Sequence, residues 1–461
     1  MKAIITPSKI SGSTEAPPSK SFTHRAVLIA SLADGKSVIE NPLICDDTMH
    51  TIRLCGVLGA RISSHDNILE VTGCGGRPRP NKHRRGIGDS RPATTEDAAA
   101  IRLRRGAWIR KMAWMRFFGE GRPNQSSDQD FIDALNIGGL KVRVHGQDQT
   151  SDGAGANNVP VEELEGGYLP LEIEDGELKG GDIEVFGGKS SQFISSLLMI
   201  APYAKHDTRI IVKGGLVSAP YVDMTIQVME DFGVEVLRPR EDSKYKEFVI
   251  PCGQRYKPRR YKIEGDWSAA SYFFAAAAIC GGKVEVTRLN PLSRQGDKIF
   301  PYLLSLMKHN VIWYNSGAEI NGRDSSGISL SMHAWPDIVH ALSAVAAFAR
   351  GVTNISGIGH LRTKEADRIA EIRNELLKFG INAEATENSL CVCGLSEAKP
   401  KGAEIDSHGD HRLAMAFTAA ALGAEGRTVI NNIECVLKSY PDFFRDMRKL
   451  GADIELVEEK A

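Results

Sequence analysis

Several short stretches of this chain carry side chains suited to holding anions. Pro18-Ser19-Lys20-Ser21-x-x-x-Arg25 places two hydroxyls, an ammonium and a guanidinium at the start of an apolar helical pattern. Free backbone N–H groups and the positive end of the macrodipole favour an anion at such a helix start. Arg25 follows just over one turn later and reaches the same ligand. A serine cap with solvated basic neighbours explains these residues equally well when they are taken alone. Ser190-Ser191-Gln192 repeats the theme with hydroxyls and an amide, where capping is again the plain alternative. Ser218-Ala-Pro-Tyr221 offers Ser218 and Tyr221 around a turn that Pro220 fixes.

Lys364-Glu365-x-x-Arg368 carries more information. On a helix, Lys364 and Arg368 stand four apart on one face with Glu365 beside it. A surface ion-pair network is the ordinary explanation of such a pattern. Two like charges at that spacing repel, so an anion between them is a natural partner. Asp410-His411-Arg412 opens a helix of Ala and Met, where an arginine wants a ligand. Lys438 follows a strand-like run. Asp337 stands apart: it is an acid heading an apolar helix, while the other turns carry cations. It is either a helix cap or a general base or acid among positive charges.

The elements behind these turns repeat. Pro18–Gly35, Gly187–Ala204, Gly265–Gly281, Pro336–Gly351 and His408–Gly423 each read as a polar turn followed by a helix of small apolar residues. The last four turns recur every 70–77 residues or so, the mark of a repeated supersecondary unit. Ala, Leu and Ile occupy several faces of these helices, so they are expected to be largely buried. Short β-type runs separate them, including Arg209–Val212, Lys283–Thr287, Asn354–Ile355 and Thr428–Ile430. The fold class is therefore α/β with helices inside, and several positive helix ends are expected to converge on one cleft.

One unit is missing. About 170 residues separate the first turn from the second, two periods instead of one. A sixth unit should open near residues 90–100, where the chain is instead dense in arginine, poor in aliphatic residues and strandless. Shifting the reading by one base across Gly121–Asp128, with one further slip at the last codon, permits Gly-Asp-Gln-Ile-Asn-Arg-Pro-Met. That runs through Gln129 into the in-frame Asp130-Phe131-Ile132-Asp133-Ala134-Leu135. The same shift across Thr95–Ala98 permits Leu-Arg-Met-Leu. Residues 76–128 or so are accordingly expected to be out of frame.

Composition narrows the classes. The 461 residues are 42% hydrophobic and 25% charged with a net charge of −1, which gives no global attraction to nucleic acid or membrane. No apolar run approaches the ~18 residues that span a bilayer, and the N-terminus lacks a signal-peptide core. The eight cysteines form no CxxC pair, and Cys391-x-Cys393 lacks a second ligand pair, so neither zinc nor a disulfide framework is expected. Reduced thiols fit a cytoplasmic protein.

Taken in order, the strings PPSKSFTHR, GGKSSQF, SAPYVDMT, GDWSAASYF, WPDI, KEADR, GDHRLAMA and LKSYPDFF, from residue 17 to 444, resemble the 5-enolpyruvylshikimate-3-phosphate (EPSP) synthase family. The resemblance implies a two-domain inside-out α/β barrel, each domain of three βαβαββ repeats, closing on its substrates through two hinge crossings. By the family's pattern the first domain spans residues 13–258, and the second combines 1–12 with 259–461. It further implies transfer of an enolpyruvyl group from phosphoenolpyruvate to the 5-hydroxyl of shikimate 3-phosphate, on the route to chorismate and the aromatic amino acids. No metal or cofactor, no nucleic-acid partner and a monomeric state are implied.

Carried onto this sequence, the resemblance gives Lys20, Ser21 and Arg25 to shikimate 3-phosphate, with Lys20 also touching phosphoenolpyruvate. Ser190, Ser191 and Gln192 bind the ring and its phosphate, Gln192 also facing phosphoenolpyruvate, and Ser218 contacts the 3-phosphate. Asp337 takes the proton of the attacking hydroxyl, and Lys364 bonds the same substrate. Lys364 and Glu365 handle protons at the methylene, while Arg368, Arg412 and Lys438 grip phosphoenolpyruvate. The family's Asn-x-Gly-Thr turn, the arginine after it and its Arg-Pro-Met segment are absent from 76–128 as written. With two phosphoenolpyruvate contacts gone, the chain is expected to be nearly inactive and locally misfolded. Two rivals remain in view. One is the sister enzyme acting on a UDP-sugar, which relies on a loop cysteine and lacks this set of strings. The other is a nucleic-acid-binding insertion at Arg77–Arg116, with Trp108 and Trp114 among its basic residues.

Overall fold

The computed structural model describes residues 1–77, 178–238, 245–364, 366–394 and 399–458, together with the backbone of two short strands, Val142–Val144 and Leu171–Ile173. Apart from Gly76 and Arg77, the stretch expected to be out of frame lies outside the described residues, as does Glu365. The described helices are α1 (Lys20–Leu32), α2 (Asp46–Val57), α3 (Ser191–Ile200), α4 (Ala219–Asp231), α5 (Trp267–Cys280), α6 (Phe300–Leu306), α7 (Val339–Ala346), α8 (Arg368–Lys378), α9 (His411–Gly423) and α10 (Phe443–Lys449).

Small apolar side chains let helices pack against one another on every face, and here they do. α9 buries each residue from His411 to Leu422, α7 buries all of its residues, and α1 buries every residue except Ser21. α5, α7 and α9 pack together as one bundle. The strands around them alternate buried and half-buried positions, as in Lys2–Thr6, so each sheet turns one face to the helices and one outward.

Three four-stranded sheets surround this bundle on one plan. Their orders are Ser11–Glu15, Lys283–Thr287, Gly317–Asn321, Asn310–Tyr314; then Ser329–Ser331, Gly351–Ser356, Ser389–Gly394, Asn382–Ala385; then Glu404–Asp406, Thr428–Asn431, Lys2–Thr6, Asp453–Val457. In each sheet the first pair is parallel and the other two are antiparallel. α7 and α9 bridge the parallel pairs of the second and third sheets, as a parallel connection requires. The N-terminal strand Lys2–Thr6 fills a gap in the third sheet, so the two ends of the chain meet there.

A second core forms around α1, α3 and α4. One of its sheets, Arg260–Lys262, Lys36–Glu40, Ile68–Thr72, Arg61–His65, has the same plan, with its first strand supplied from far along the chain. Another orders Glu247–Ile250, Thr208–Lys213 and Gly181–Phe186, and Val142–Val144 pairs antiparallel with Leu171–Ile173. No sheet among the described residues closes on itself. The arrangement is a mixed α/β fold of separate sheets, and the closed barrel of the expectation is not seen.

The chain crosses between the cores twice. Ala16 belongs to one core and Phe22 to the other; Ile263 and Trp267 mark the return. The two strands run together: Ser19 N donates to Glu264 O at 2.8 Å and Asp266 N to Pro17 O at 2.8 Å. Gly265 is fixed there by space, because a Cβ would lie 2.3 Å from the Arg288 carbonyl oxygen.

Candidate active site

The first helix of the sequence argument begins where expected. Ser19 caps α1 by accepting from Phe22 N, and Lys20 N donates to Asp266 Oδ2 at 3.0 Å across the crossing. Lys20 is nearly buried, and its Nζ lies 2.9 Å from Asp47 Oδ2, at the head of α2. Arg25 is buried one turn on. Its Nε donates to Thr225 Oγ1 at 2.8 Å, Nη1 to Ser21 O at 2.9 Å and Nη2 to Tyr221 O at 3.1 Å, which ties α1 to α4. Burial brings the Arg25 guanidinium down to about 10.

The opposite wall is built from the heads of α5, α7 and α9. Asp410 caps α9, accepting from Arg412 N at 2.8 Å, and this aims the Arg412 side chain across the helix ends. Arg412 Nη2 donates to Asp337 Oδ2 at 2.6 Å, and Nη1 donates to Ser268 Oγ at 2.7 Å and Asp337 O at 3.3 Å. Asp337 does not cap a helix. It sits in the 3-10 turn Pro336–Ile338 with no capping bond, which leaves its carboxylate to the cleft. Tyr221, from the facing core, donates to Asp337 Oδ2 at 2.5 Å and also lies 3.1 Å from Asp297 Oδ2.

Arg368 is fully buried behind this layer. Its Nε donates to Asp410 Oδ2 at 2.6 Å, and Nη1 lies 4.0 Å from Asp337 Oδ1. Burial alone would raise Asp410, but the Arg368 guanidinium, with His340 and His411 nearby, holds it far below the usual carboxylate range. Burial pushes Asp297 up to about 8, and the neighbouring Asp337 adds to that. Burial also raises Tyr221 well above its ordinary value, with Asp297 and Asp337 contributing. Asp266 is raised by burial against the pull of the Ala269 and Lys20 amides.

Lys20, Ser21, Asp337 and Arg412 line one cavity at the junction of the cores, together with Tyr221, Asp266, Ser268, Asp297 and Tyr440. Arg368 touches that layer through Asp337 and Asp410. Lys438 Nζ donates to Gly409 O at 3.0 Å, next to the α9 cap. Ser218 holds a left-handed backbone (φ 55), and its N–H donates across the cleft to His333 O at 2.9 Å. Ser190 caps α3 by accepting from Gln192 N at 3.2 Å, and neither it nor Ser191 or Gln192 lines the cavity.

Lys364 corrects the sequence reading. It lies in extended backbone just past the 3-10 turn Gly359–Thr363, and the helix starts only at Arg368. Asp367 sets that start by accepting from Ala370 N at 3.1 Å, so Lys364 and Arg368 share no helix face. Several residues of the site escaped the sequence argument. Asp47 and Asp266 left a usable signal, an acid heading a helix beside a cation-bearing turn. Ser268 and Asp297 left none, because only the fold brings them to Arg412 and Tyr221.

The profile of the EPSP synthase family, described as EPSP synthase (3-phosphoshikimate 1-carboxyvinyltransferase), matches residues 4–94 and 148–447. The chain belongs to the EPSP synthase family. It is 36% identical over 460 residues to a 3-phosphoshikimate 1-carboxyvinyltransferase of Methanocella arvoryzae, spanning 99% of this chain and 100% of the relative. A protein of the same description from Methanospirillum hungatei is 39% identical over 443 residues, 95% of each chain. The fold is also that of an EPSP synthase structure from Acinetobacter baumannii, with a TM-score of 0.72 at 21% identity, covering 99% of this chain and 100% of that one. Within the family match, the interval 95–147 is left out, and it overlaps the stretch 76–128 that the sequence sets apart.

Proposed function

We propose that the chain transfers the enolpyruvyl group of phosphoenolpyruvate to the 5-hydroxyl of shikimate 3-phosphate and releases inorganic phosphate. The observation that carries this reading is the Arg412–Asp337 pair, facing Lys20 across one cavity with Arg368 behind it. A carboxylate fixed beside the attacking hydroxyl serves as its base, while the cations meet the phosphate and carboxylate of the donor.

In this reading Asp337 accepts the proton of the attacking 5-hydroxyl as the methylene of phosphoenolpyruvate gains one. The hydroxyl oxygen bonds to the central carbon to give a tetrahedral intermediate. Loss of a methyl proton and cleavage of the bond to the phosphate oxygen then restore the double bond and release phosphate. Lys364 and Glu365 serve the proton steps at the methylene. Lys20, Arg368, Arg412 and Lys438 stabilise the donor's charges, and Ser21, Arg25, Ser190, Ser191, Gln192 and Ser218 hold the acceptor. Cations fixed by the fold need little rearrangement as charge develops, which is where much of the rate arises.

We read the two cores as two domains of three related units each, helices inside, in the manner of an inside-out barrel. The paired crossings at Pro18 and Gly265 serve as the hinge, and closing over it excludes water. A monomer in the cytoplasm completes the reading. Incubating the purified chain with phosphoenolpyruvate and shikimate 3-phosphate tests it, following phosphate release and the mass of the product. A gain equal to one 1-carboxyvinyl group is expected, at a rate held low by the contacts missing from 76–128. Transfer to a UDP-sugar instead, or salt-sensitive RNA binding without transfer, would sink it.

A further inference from the structure

We infer that Asp297 is a positioning residue for this transfer: as a carboxylic acid it donates to the Tyr221 hydroxyl, which leaves the tyrosine's own proton for Asp337. The inference rests on the enolpyruvyl-transfer reading and adds to it a residue that neither touches Arg412 directly nor stands in any of the anion-holding turns.

The geometry is a matter of counting protons. Tyr221 Oη lies 2.5 Å from Asp337 Oδ2 and 3.1 Å from Asp297 Oδ2. A phenol has one proton and cannot donate to two carboxylates at once. If it donates along the shorter line to Asp337, the bond to Asp297 needs a proton from Asp297. That residue is 4% exposed and lines the cavity, and its second oxygen, Oδ1, is buried with no hydrogen-bond partner among the described residues. An ionised carboxylate is a poor occupant of such a place, and a neutral acid is a good one.

Burial dominates at Asp297. Among the groups facing it, the Asp337 and Asp266 carboxylates raise it, while Arg412 and the Tyr221 hydrogen bond pull it down without overcoming burial. These groups are Asp337 from the turn Pro336–Ile338, Arg412 from α9, Asp266 from the head of α5 and Tyr221 from α4. Of these, Arg412 carries the positive charge, and its Nη2 and Nη1 are directed to Asp337 and Ser268. Burial and Asp337 together raise Asp297 to about 8.

A glycine makes the approach possible. A Cβ on Gly296 would meet Pro220 at 2.7 Å and Trp335 Cδ1 at 2.9 Å, so the turn Gly296–Ile299 is pressed directly against the head of α4. The consequence is mechanical. Arg412 and Tyr221 both hold Asp337 Oδ2, and this fixes the plane of the carboxylate that takes the substrate proton. When Asp297 ionises, two anions contest one phenol proton and repel each other, so Asp337 loses that orientation.

The test compares Asp297→Ala and Asp297→Asn with the unaltered full chain. The alanine variant should lose roughly 10–100-fold in kcat/KM for phosphate release, mostly in kcat. The asparagine variant keeps a neutral donor to Tyr221 and should recover most of that loss. Its pH profile should lack the alkaline fall that the unaltered chain shows near pH 8. A readout without turnover accompanies this. From the ordinary carboxyl value of 3.8 up to about 8, the folded chain binds one proton more than the unfolded chain. The unfolding equilibrium constant of the unaltered chain should therefore rise up to about tenfold more per pH unit than that of Asp297→Asn.

Identical alkaline limbs in the unaltered chain and Asp297→Asn, or stability that varies equally with pH in both, overturns the inference while the transfer reading stands. An alanine variant with unaltered kcat does the same. If no variant releases phosphate but the stability difference is present, turnover is measured again with Leu-Arg-Met-Leu restored at 95–98 and Gly-Asp-Gln-Ile-Asn-Arg-Pro-Met at 121–128. Silence there too fells the transfer reading and the catalytic role with it, and only the protonated acid survives.

Discussion

Arg25 and Arg412 are both buried arginines in the N-terminal halves of apolar helices, one in each core, yet the fold holds them by different chemistry. The acceptors described for Arg25 are neutral oxygens: the Thr225 hydroxyl and the Ser21 and Tyr221 carbonyls. Arg412 is held by the Asp337 carboxylate and the Ser268 hydroxyl. The contrast extends to their neighbours, because the second wall also contains Arg368 on Asp410, both fully buried. Carbonyls and hydroxyls fix where a guanidinium points without titrating. Carboxylates fix it and can also exchange protons. On the proposed reading, the difference assigns shaping and holding to the wall built from α1 and α4, and the acid–base chemistry to the wall built from α5, α7 and α9.

The largest effect should come from the stretch 76–128. It lacks an arginine that the family resemblance places at phosphoenolpyruvate. Replacing Thr95–Ala98 with Leu-Arg-Met-Leu and Gly121–Asp128 with Gly-Asp-Gln-Ile-Asn-Arg-Pro-Met should raise kcat/KM for phosphate release. Regaining a buried partner for an anion is worth roughly 2–5 kcal/mol, or roughly 30-fold to 5,000-fold. Resequencing the coding DNA is the companion measurement. An intact frame whose codons cannot yield those residues removes the basis for this prediction.

The second prediction sets the two arginines against each other. Arg412→Ala should lower kcat/KM about 100-fold, chiefly in kcat, because Asp337 loses its charged partner and the donor loses a cation. Arg25→Ala should cost about tenfold, chiefly in KM for shikimate 3-phosphate, since its neutral contacts position and do not react. Steady-state kinetics on both variants reads the split directly. Equal losses in the same parameter would erase the distinction between the walls.

Smaller still is the effect of spacing. Gly296→Ala forces the turn at Asp297 away from Pro220 and Trp335. About tenfold or less in kcat/KM is expected, with kcat and KM moving together as for a closure defect. The unfolding midpoint should hardly change, because the turn can withdraw into the open cleft.

How much of this was legible in the sequence follows from the same residues. The heads of α1, α3, α5, α7 and α9 were readable because Ser, Asp or Pro precedes a run of small apolar residues, and local chemistry fixes such turns. Burial of those helices was readable too, since alanine on every face leaves no polar side to expose. The Tyr221–Asp297 and Arg412–Ser268 contacts were not readable, because they join elements that meet only after the chain has crossed between cores twice. Lys364 was misplaced because a period of four looks helical until the Asp367 cap is noticed. The strand exchange was equally hidden: Arg260–Lys262 completes a sheet begun at Lys36, and Lys2–Thr6 one that ends near Val457. A short β-type run carries no mark of the sheet it will join.

Acid should loosen the reacting wall's core. His309, His340 and His360 lie in that core, and burial lowers them to about 4, 3 and 4 from an ordinary 6.5. His340 stays low even with Asp410 Oδ2 at 3.9 Å, and His309 Nδ1 accepts from Arg323 N at 3.0 Å, a bond that uses the neutral ring's lone pair. A histidine whose folded value is depressed contributes full stability above the unfolded value of 6.5. That contribution shrinks as pH falls toward 4, because the unfolded chain takes up the proton first. Lowering the pH from 7 to 6 should therefore cost about 0.5–1 kcal/mol for each of the three. Asp297 works in the opposite direction over this range, so unfolding midpoints of Asp297→Asn at the two pH values measure the sum, and amide hydrogen exchange locates it. Faster exchange is expected in α7 and in Asn310–Tyr314, with α1 and α4 less affected. His309→Gln, whose amide oxygen can accept from Arg323 N, should remove one share of the slope. If α1 and α4 loosen first, or His309→Gln leaves the slope unchanged, the acid sensitivity belongs elsewhere.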